Sequence, residues 1–139
     1  MFGQAMVKPL ATLFLALVIL FSGCAKIEQD KKAMAIEAST QAYATALRWG
    51  YFETAQGYLH PERRAQGFDA NWGNGVRVVG YEVARPLAMS DAVTANQSVL
   101  ISYLHQDVQR VRTVTDHQIW RYDEATKAWW LDSALPVFE

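Results

Sequence analysis

Near Asn71 the hydrophobic period of the chain changes from helical to alternating, so its two halves cannot share one kind of secondary structure. Upstream, Ile36, Thr40, Tyr43 and Leu47 follow one another at helical intervals, with Asp30 read as an N-cap and Gly50 as a stop. A short second helix is predicted from Tyr51 or Phe52 to Leu59. Pro61 suits the start of a third helical turn that closes near Phe68, with Glu62 on its N-terminal dipole. Downstream, four strands are predicted: Val76 to Arg85 with a bulge at Gly80, Val93 to His105, Arg110 to Tyr122, and Ala128 to Ser133. Pro86 limits the first strand or places it on an edge. Helices followed by a meander of strands imply an α+β fold, with N-terminal helices packed on a curved antiparallel sheet of about four strands. A bent sheet around one long helix makes a cone whose mouth can hold a ligand.

The first residues do not belong to that fold. Leu10 to Phe21 is apolar apart from Thr12, and Lys8 is the one charge before Gly23. A helix needs roughly 20 apolar residues to cross a bilayer. The run is shorter and suits the h-region of a cleaved signal peptide, with Lys8 as the positive n-region. Met6 serves as a start as well as Met1 does. Phe21-Ser22-Gly23-Cys24 then resembles the lipobox of bacterial lipoprotein precursors, with Phe where Leu is more usual. The resemblance implies cleavage before Cys24, acylation of its thiol with diacylglycerol, and palmitate or another acyl chain on the freed amine. Cys24 is the only Cys, so no intramolecular disulfide can form. Ala25, rather than Asp, after that Cys implies the outer membrane, at the periplasmic face of the cell envelope. The expected organisation is a signal peptide over 1–23, a lipidated Cys and short polar tether over 24–32 that merges toward the first helix, and one domain over 33–139. Loss of the leader removes Lys8 alone among the charges and leaves 12 basic and 14 acidic side chains. Neither a basic excess nor a basic run remains, which argues against nucleic acid as a partner.

The helix end Ala46-Leu47-Arg48-Trp49-Gly50-Tyr51-Phe52-Glu53-Thr54-Ala55, then Tyr58-Leu59-His60-Pro61, is similar to the opening of cystatin-like α+β lipoproteins of the NTF2-like (nuclear transport factor 2-like) superfamily. Ile119-Trp120-Arg121-Tyr122, a polar loop and Trp129-Trp130-Leu131 resemble the last hairpin of such domains. The resemblance covers most of the mature chain in pattern and implies the cone. That superfamily includes isomerases, dehydratases and many non-catalytic binding domains, and its members often pair through the sheet, which leaves a homodimer open. The helical stretch also mimics one tetratricopeptide unit, but a solenoid needs about three repeats and the pattern stops after one.

Catalysis in that superfamily would use an acid or base inside the cone, and the candidates are Asp116, His117 and Tyr43. Neighbours on a strand point to opposite faces, so Asp116 and His117 cannot form a dyad. Asp116 shares parity with Val114, Gln118 and Trp120, and His117 with Thr115, Ile119 and Arg121; a mixed, partly solvated sheet is expected for both. His60, His105 and His117 have no ligand spacing, so no metal is expected, and no cofactor. Trp120, Trp129 and Trp130 gather around the final hairpin as a candidate aromatic binding surface, beside the plainer reading of cross-strand packing. Arg110 and Arg112 share a face and are read as solvated. The resulting expectation is a lipid-anchored, non-enzymatic binding domain for a small apolar ligand or a protein partner. The alternatives are an isomerase- or dehydratase-type enzyme and a structural or assembly partner in the envelope.

Overall fold

A computed structural model describes the backbone from Val7 and the side chains from Gly23, in each case through Glu139. The signal-peptide expectation and the first two lipobox residues fall on 1–22 and lie outside the residues whose side chains are described. Three helices, α1 (Val7–Arg48), α2 (Phe52–Gln56) and α3 (Pro61–Ala65), precede four strands, β1 (Val76–Met89), β2 (Thr94–His105), β3 (Val108–Asp123) and β4 (Ala128–Leu131). The chain forms two compact units, up to Met34 and from Ala35 to Glu139. Among the described residues no helix is long and apolar enough to cross a membrane.

Asp30 is not an N-cap, because α1 runs straight through it. Ala25 to Lys32 contains Ala, Lys, Glu and Gln but neither Gly nor Pro, so nothing in it breaks a helix. The ion pair of Glu28 with Lys31 at 3.9 Å is solvated at both ends and adds little. At the far end the sequence expectation holds. Gly50 has φ of +75°, Tyr51 N–H donates to the Ala46 carbonyl at 2.8 Å, and Gly50 N–H donates to Leu47 at 3.2 Å. These two bonds are the Schellman closure, which needs a residue at ease in the left-handed region. His60 caps α3, its Nδ1 accepting from the Glu62 N–H at 3.2 Å, and Pro61 occupies the first helical position.

The sheet is antiparallel and open, in the order β1-β2-β3-β4. β1 continues past Pro86 to Met89, further than predicted. It lies on the sheet edge, and its register shifts between Arg85 and Ala88, so the missing proline N–H costs no ladder bond that a central strand would need. A second shift falls between Val78 and Gly80, at the expected bulge. The other edge, β4, is only four residues long. It is covered by the segment before α3: Leu131 N–H donates to Tyr58 at 2.7 Å, and His60 N–H donates to Leu131 at 2.9 Å.

β2 alternates strictly between buried and half-buried residues, as its sequence parity requires. Ala95, Val99 and Ile101 of β2 and Trp120 of β3 are wholly buried with Ile36, Tyr43 and Leu47 of α1, Leu59, and Trp129 and Leu131 of β4. The part of α1 from Ile36 to Leu47 thus packs on one face of the sheet. The Tyr43, Tyr58 and Trp120 rings meet edge to face with centroids 5.7 to 6.1 Å apart, an arrangement their quadrupoles favour.

Candidate functional site

Two features of the domain carry chemistry: a polar cluster inside the core and an apolar groove beside it. The cluster follows from strand register. β2 and β3 place Val99 opposite Asp116, Gln97 opposite Gln118, and Ala95 opposite Trp120. All six point inward, and Gln97, Asp116 and Gln118 are at most 6 % exposed. Gln118 uses its whole amide. Its Nε2 donates to Asp116 Oδ2 at 2.8 Å and to the Tyr81 hydroxyl at 3.1 Å. Its Oε1 accepts from Gln97 Nε2 at 2.7 Å and Trp120 Nε1 at 3.1 Å.

Asp116 has no ion-pair partner among the described residues. Burial pushes its carboxyl up to about 6, opposed by the Gln118 hydrogen bond and by His117. Tyr81 is pushed up to about 12, chiefly by burial, with Gln118 and then Asp116 acting in opposite directions. Arg48, whose guanidinium lies 5.1 Å from the Tyr81 ring centre, lowers it slightly. Tyr43 is raised well above its ordinary value by burial, then by Asp116 and Tyr81. Its hydroxyl is buried with no hydrogen-bond partner among the described residues, an orphan that costs about 1–3 kcal/mol in desolvation. A cavity of about 400 Å³ lies alongside, lined by Thr40, Gln41, Ala44, Arg48, Tyr81 and Gln97. Asp116 and Tyr43 do not line it.

The structure therefore corrects the sequence reading of Asp116, which is core rather than part of a solvated sheet. His117 does sit on the outer face, exposed, its Nδ1 2.9 Å from Ser98 Oγ. The two have opposite orientations, as adjacent strand residues must. Tyr43 and Asp116 are brought into one electrostatic neighbourhood on the buried face, whereas His117 acts on Asp116 only through its charge, from the exposed face. Gln97, Gln118 and Tyr81 were not singled out from the sequence. The signal was present in parity: Gln97 lies between Ala95 and Val99, and Gln118 between Asp116 and Trp120.

The three-tryptophan surface is also corrected. Trp120 and Trp129 are 0 % and 3 % exposed and belong to the core. Only Trp130 reaches solvent. Its Nε1 donates to Thr126 Oγ1 at 3.2 Å, and Arg64 lies 5.8 Å from its ring centre. The aromatic surface that exists is elsewhere. The turn before β1 and the segment after β4 enclose a groove of about 380 Å³, lined by Leu59, Phe68, Trp72, Val76, Leu135 and Phe138. That volume lies at the lower end of the roughly 300–1,000 Å³ typical of small-molecule pockets. Arg63 and His105 are the basic groups on its wall and Asp69 the acidic one. Arg63 Nε is engaged by Asp132 Oδ1 at 3.1 Å, while Asp132 Oδ2 holds Arg121 at 2.9 Å.

Gly73 shapes the groove. It has φ of +78°, and a Cβ there would collide with the Phe52 ring. Phe52 in turn stacks edge to face on Trp72, with centroids 5.3 Å apart. Cys24 is exposed and carries no disulfide. No group of three His, Cys, Asp or Glu stands close enough to hold a metal among the described residues. Comparison with protein-family models, with curated proteins and with solved structures finds no match to this chain.

Proposed function

We propose that this protein is a lipid-anchored binding module of a bacterial cell envelope, held through acylated Cys24, whose groove takes a small, largely apolar ligand. The observation that carries the binding half is the groove itself, whose wall is mostly aliphatic and aromatic, with a smaller share of charged and neutral polar side chains. Support for the anchoring half is the Phe21-Ser22-Gly23-Cys24 sequence after a short apolar run. Ala25 favours the periplasmic face of the outer membrane. An open antiparallel sheet packed on a long helix accords with the NTF2-like architecture, and we extend the proposal to that superfamily.

Both halves can be tested on protein extracted from envelopes. Replacement of Cys24 by Ala is expected to shift the chain from the membrane to the soluble fraction; retention on the membrane would overturn lipid anchoring. Native mass spectrometry is expected to show a reproducible extra mass that disappears on denaturation and in Phe68→Asp, which places a charge in the groove. An unliganded wild type would refute the small-ligand reading.

A second reading, acid–base catalysis of the isomerase or dehydratase kind, is favoured by one arrangement. A buried carboxyl raised to about 6 shares its surroundings with an unpartnered tyrosine hydroxyl. It predicts that Asp116→Asn abolishes conversion of a captured ligand while leaving its binding intact.

A further inference from the structure

Residues 133–139 run across the fold without regular structure. Among the described residues, no backbone–backbone hydrogen bond involves this segment. Side chains of the domain hold it instead, and they hold mostly its main chain. Trp72 Nε1 donates to the Pro136 carbonyl at 2.7 Å. Arg112 donates to the main-chain oxygen of Glu139 at 2.8 Å. The Tyr103 hydroxyl donates to that oxygen at 3.2 Å and accepts from the Glu139 N–H at 3.0 Å. Between these fastenings the Phe138 ring enters an aromatic box, with centroids 4.9 Å from Tyr103, 5.8 Å from Trp72 and 6.0 Å from Phe52. Pro136 is buried, whereas Val137 is 65 % exposed. One side chain in a pocket and main-chain groups taken by fixed donors is how a domain receives an extended peptide.

We propose that this box and its donors form a docking site for an extended segment of a protein partner, covered in the unbound protein by the chain's own residues 135–139. The partner chemistry is read from the occupant: Leu135-Pro136-Val137-Phe138-Glu139 sets the pattern of an apolar residue, a proline, a solvent-facing residue and an aromatic anchor. The proline keeps the segment extended and removes an N–H that would otherwise need a partner. The aromatic anchor supplies most of the contact area, as rings do at interfaces. A tethered occupant acts at an effective concentration on the order of millimolar, so it masks the site from weak competitors and yields to a tighter one. The proposal rests on the preceding reading of this face as a recognition site, since the covering segment also forms a wall of the groove.

The probe is a fluorescein-labelled peptide of sequence ALPVFE, titrated into the full chain in lipid nanodiscs. Phe138→Ala removes the anchor of the covering segment and is expected to bind the peptide at least roughly tenfold more tightly than wild type does. The gain is expected to vanish when the peptide carries Ala in place of its Phe, or when Arg112→Ala is added to the protein. A Phe138→Ala chain with native circular dichroism and no gain in peptide affinity would overturn the proposal. Should that variant not fold, wild type decides the matter with a peptide carrying a photo-reactive phenylalanine at the aromatic position. Cross-links at Trp72 or Tyr103 support docking, and their absence at saturating peptide overturns it. An extra native mass in wild type together with no peptide binding refutes the docking site and leaves the ligand groove standing. Failure of both removes both.

Discussion

Asp116 is a carboxyl enclosed in the core. Its folded proton affinity is raised, from an ordinary 3.8 to about 6, so the neutral form is favoured in the fold. Its contribution to stability is therefore fully present below about 3.8, is lost as pH rises through about 6, and is absent above. The loss is on the order of 3 kcal/mol, from 1.36 kcal/mol per pH unit. Asp116→Asn keeps an oxygen for Gln118 and removes the charge. It is expected to stabilise the domain by about 1–3 kcal/mol at pH 7.5 and to flatten the pH dependence between 4 and 6; urea melts at several pH values check both. An unchanged pH dependence would show that Asp116 titrates normally. Tyr43 offers a second test at this scale. Because its hydroxyl has no partner, Tyr43→Phe is expected to be neutral or stabilising by about 1 kcal/mol. A loss of more than that would reveal a hydrogen bond to an internal water or ligand.

At the scale of elements, stability depends on how the helices end and on which strand residues are enclosed. Gly50 closes α1 with positive φ, and Gly50→Ala is expected to cost about 1 kcal/mol in thermal or urea unfolding. Gly73→Ala adds a collision with the Phe52 ring to the same backbone strain, and its cost is expected to exceed that of Gly50→Ala. The tryptophans separate by strand face. Trp120→Ala empties a fully enclosed site and is expected to cost about 3–5 kcal/mol, whereas Trp130→Ala on the half-exposed face costs about 1 kcal/mol or less. Equal losses would contradict the assignment of their faces. Pro86 illustrates how position overrides propensity: within β1 it is tolerated because that strand is an edge and its register is already interrupted there.

At the scale of the molecule, the proposed recognition and the proposed anchoring fall on different parts of the chain. In the proposed function, the residues up to Cys24 would set the address, and the groove and the segment after β4 would set what is bound. Acylation by two or more chains holds a protein to a bilayer, whereas one chain alone binds marginally. Cys24→Ala is therefore expected to alter location and leave the urea midpoint of the domain unchanged, which fractionation and melts together would show. The groove walls come from residues 59–76, His105 and the segment 133–138, which are distant in sequence. Ligand binding is therefore expected to raise the melting temperature of the whole domain, since only the folded state brings those walls together.

Much of the fold was legible because it rests on local periodicity. The change from helical spacing to alternation near Asn71 determined an α+β chain, and Gly50, Gly80 and Pro61 marked a helix end, a bulge and a helix start from backbone geometry alone. Parity placed Asp116 opposite in orientation to His117. What parity cannot say is which face is covered. That depends on where α1 lies, and it decided that Asp116, Gln118 and Trp120 are enclosed while His117 meets solvent. The helical continuity of Ala25 to Lys32 was likewise set by the absence of any breaker rather than by the single candidate cap at Asp30. The groove and the aromatic box had no local signature. Phe52, Trp72, Tyr103 and Phe138 lie on four separate segments, and only tertiary packing, which responds to distance in space rather than along the chain, makes them neighbours.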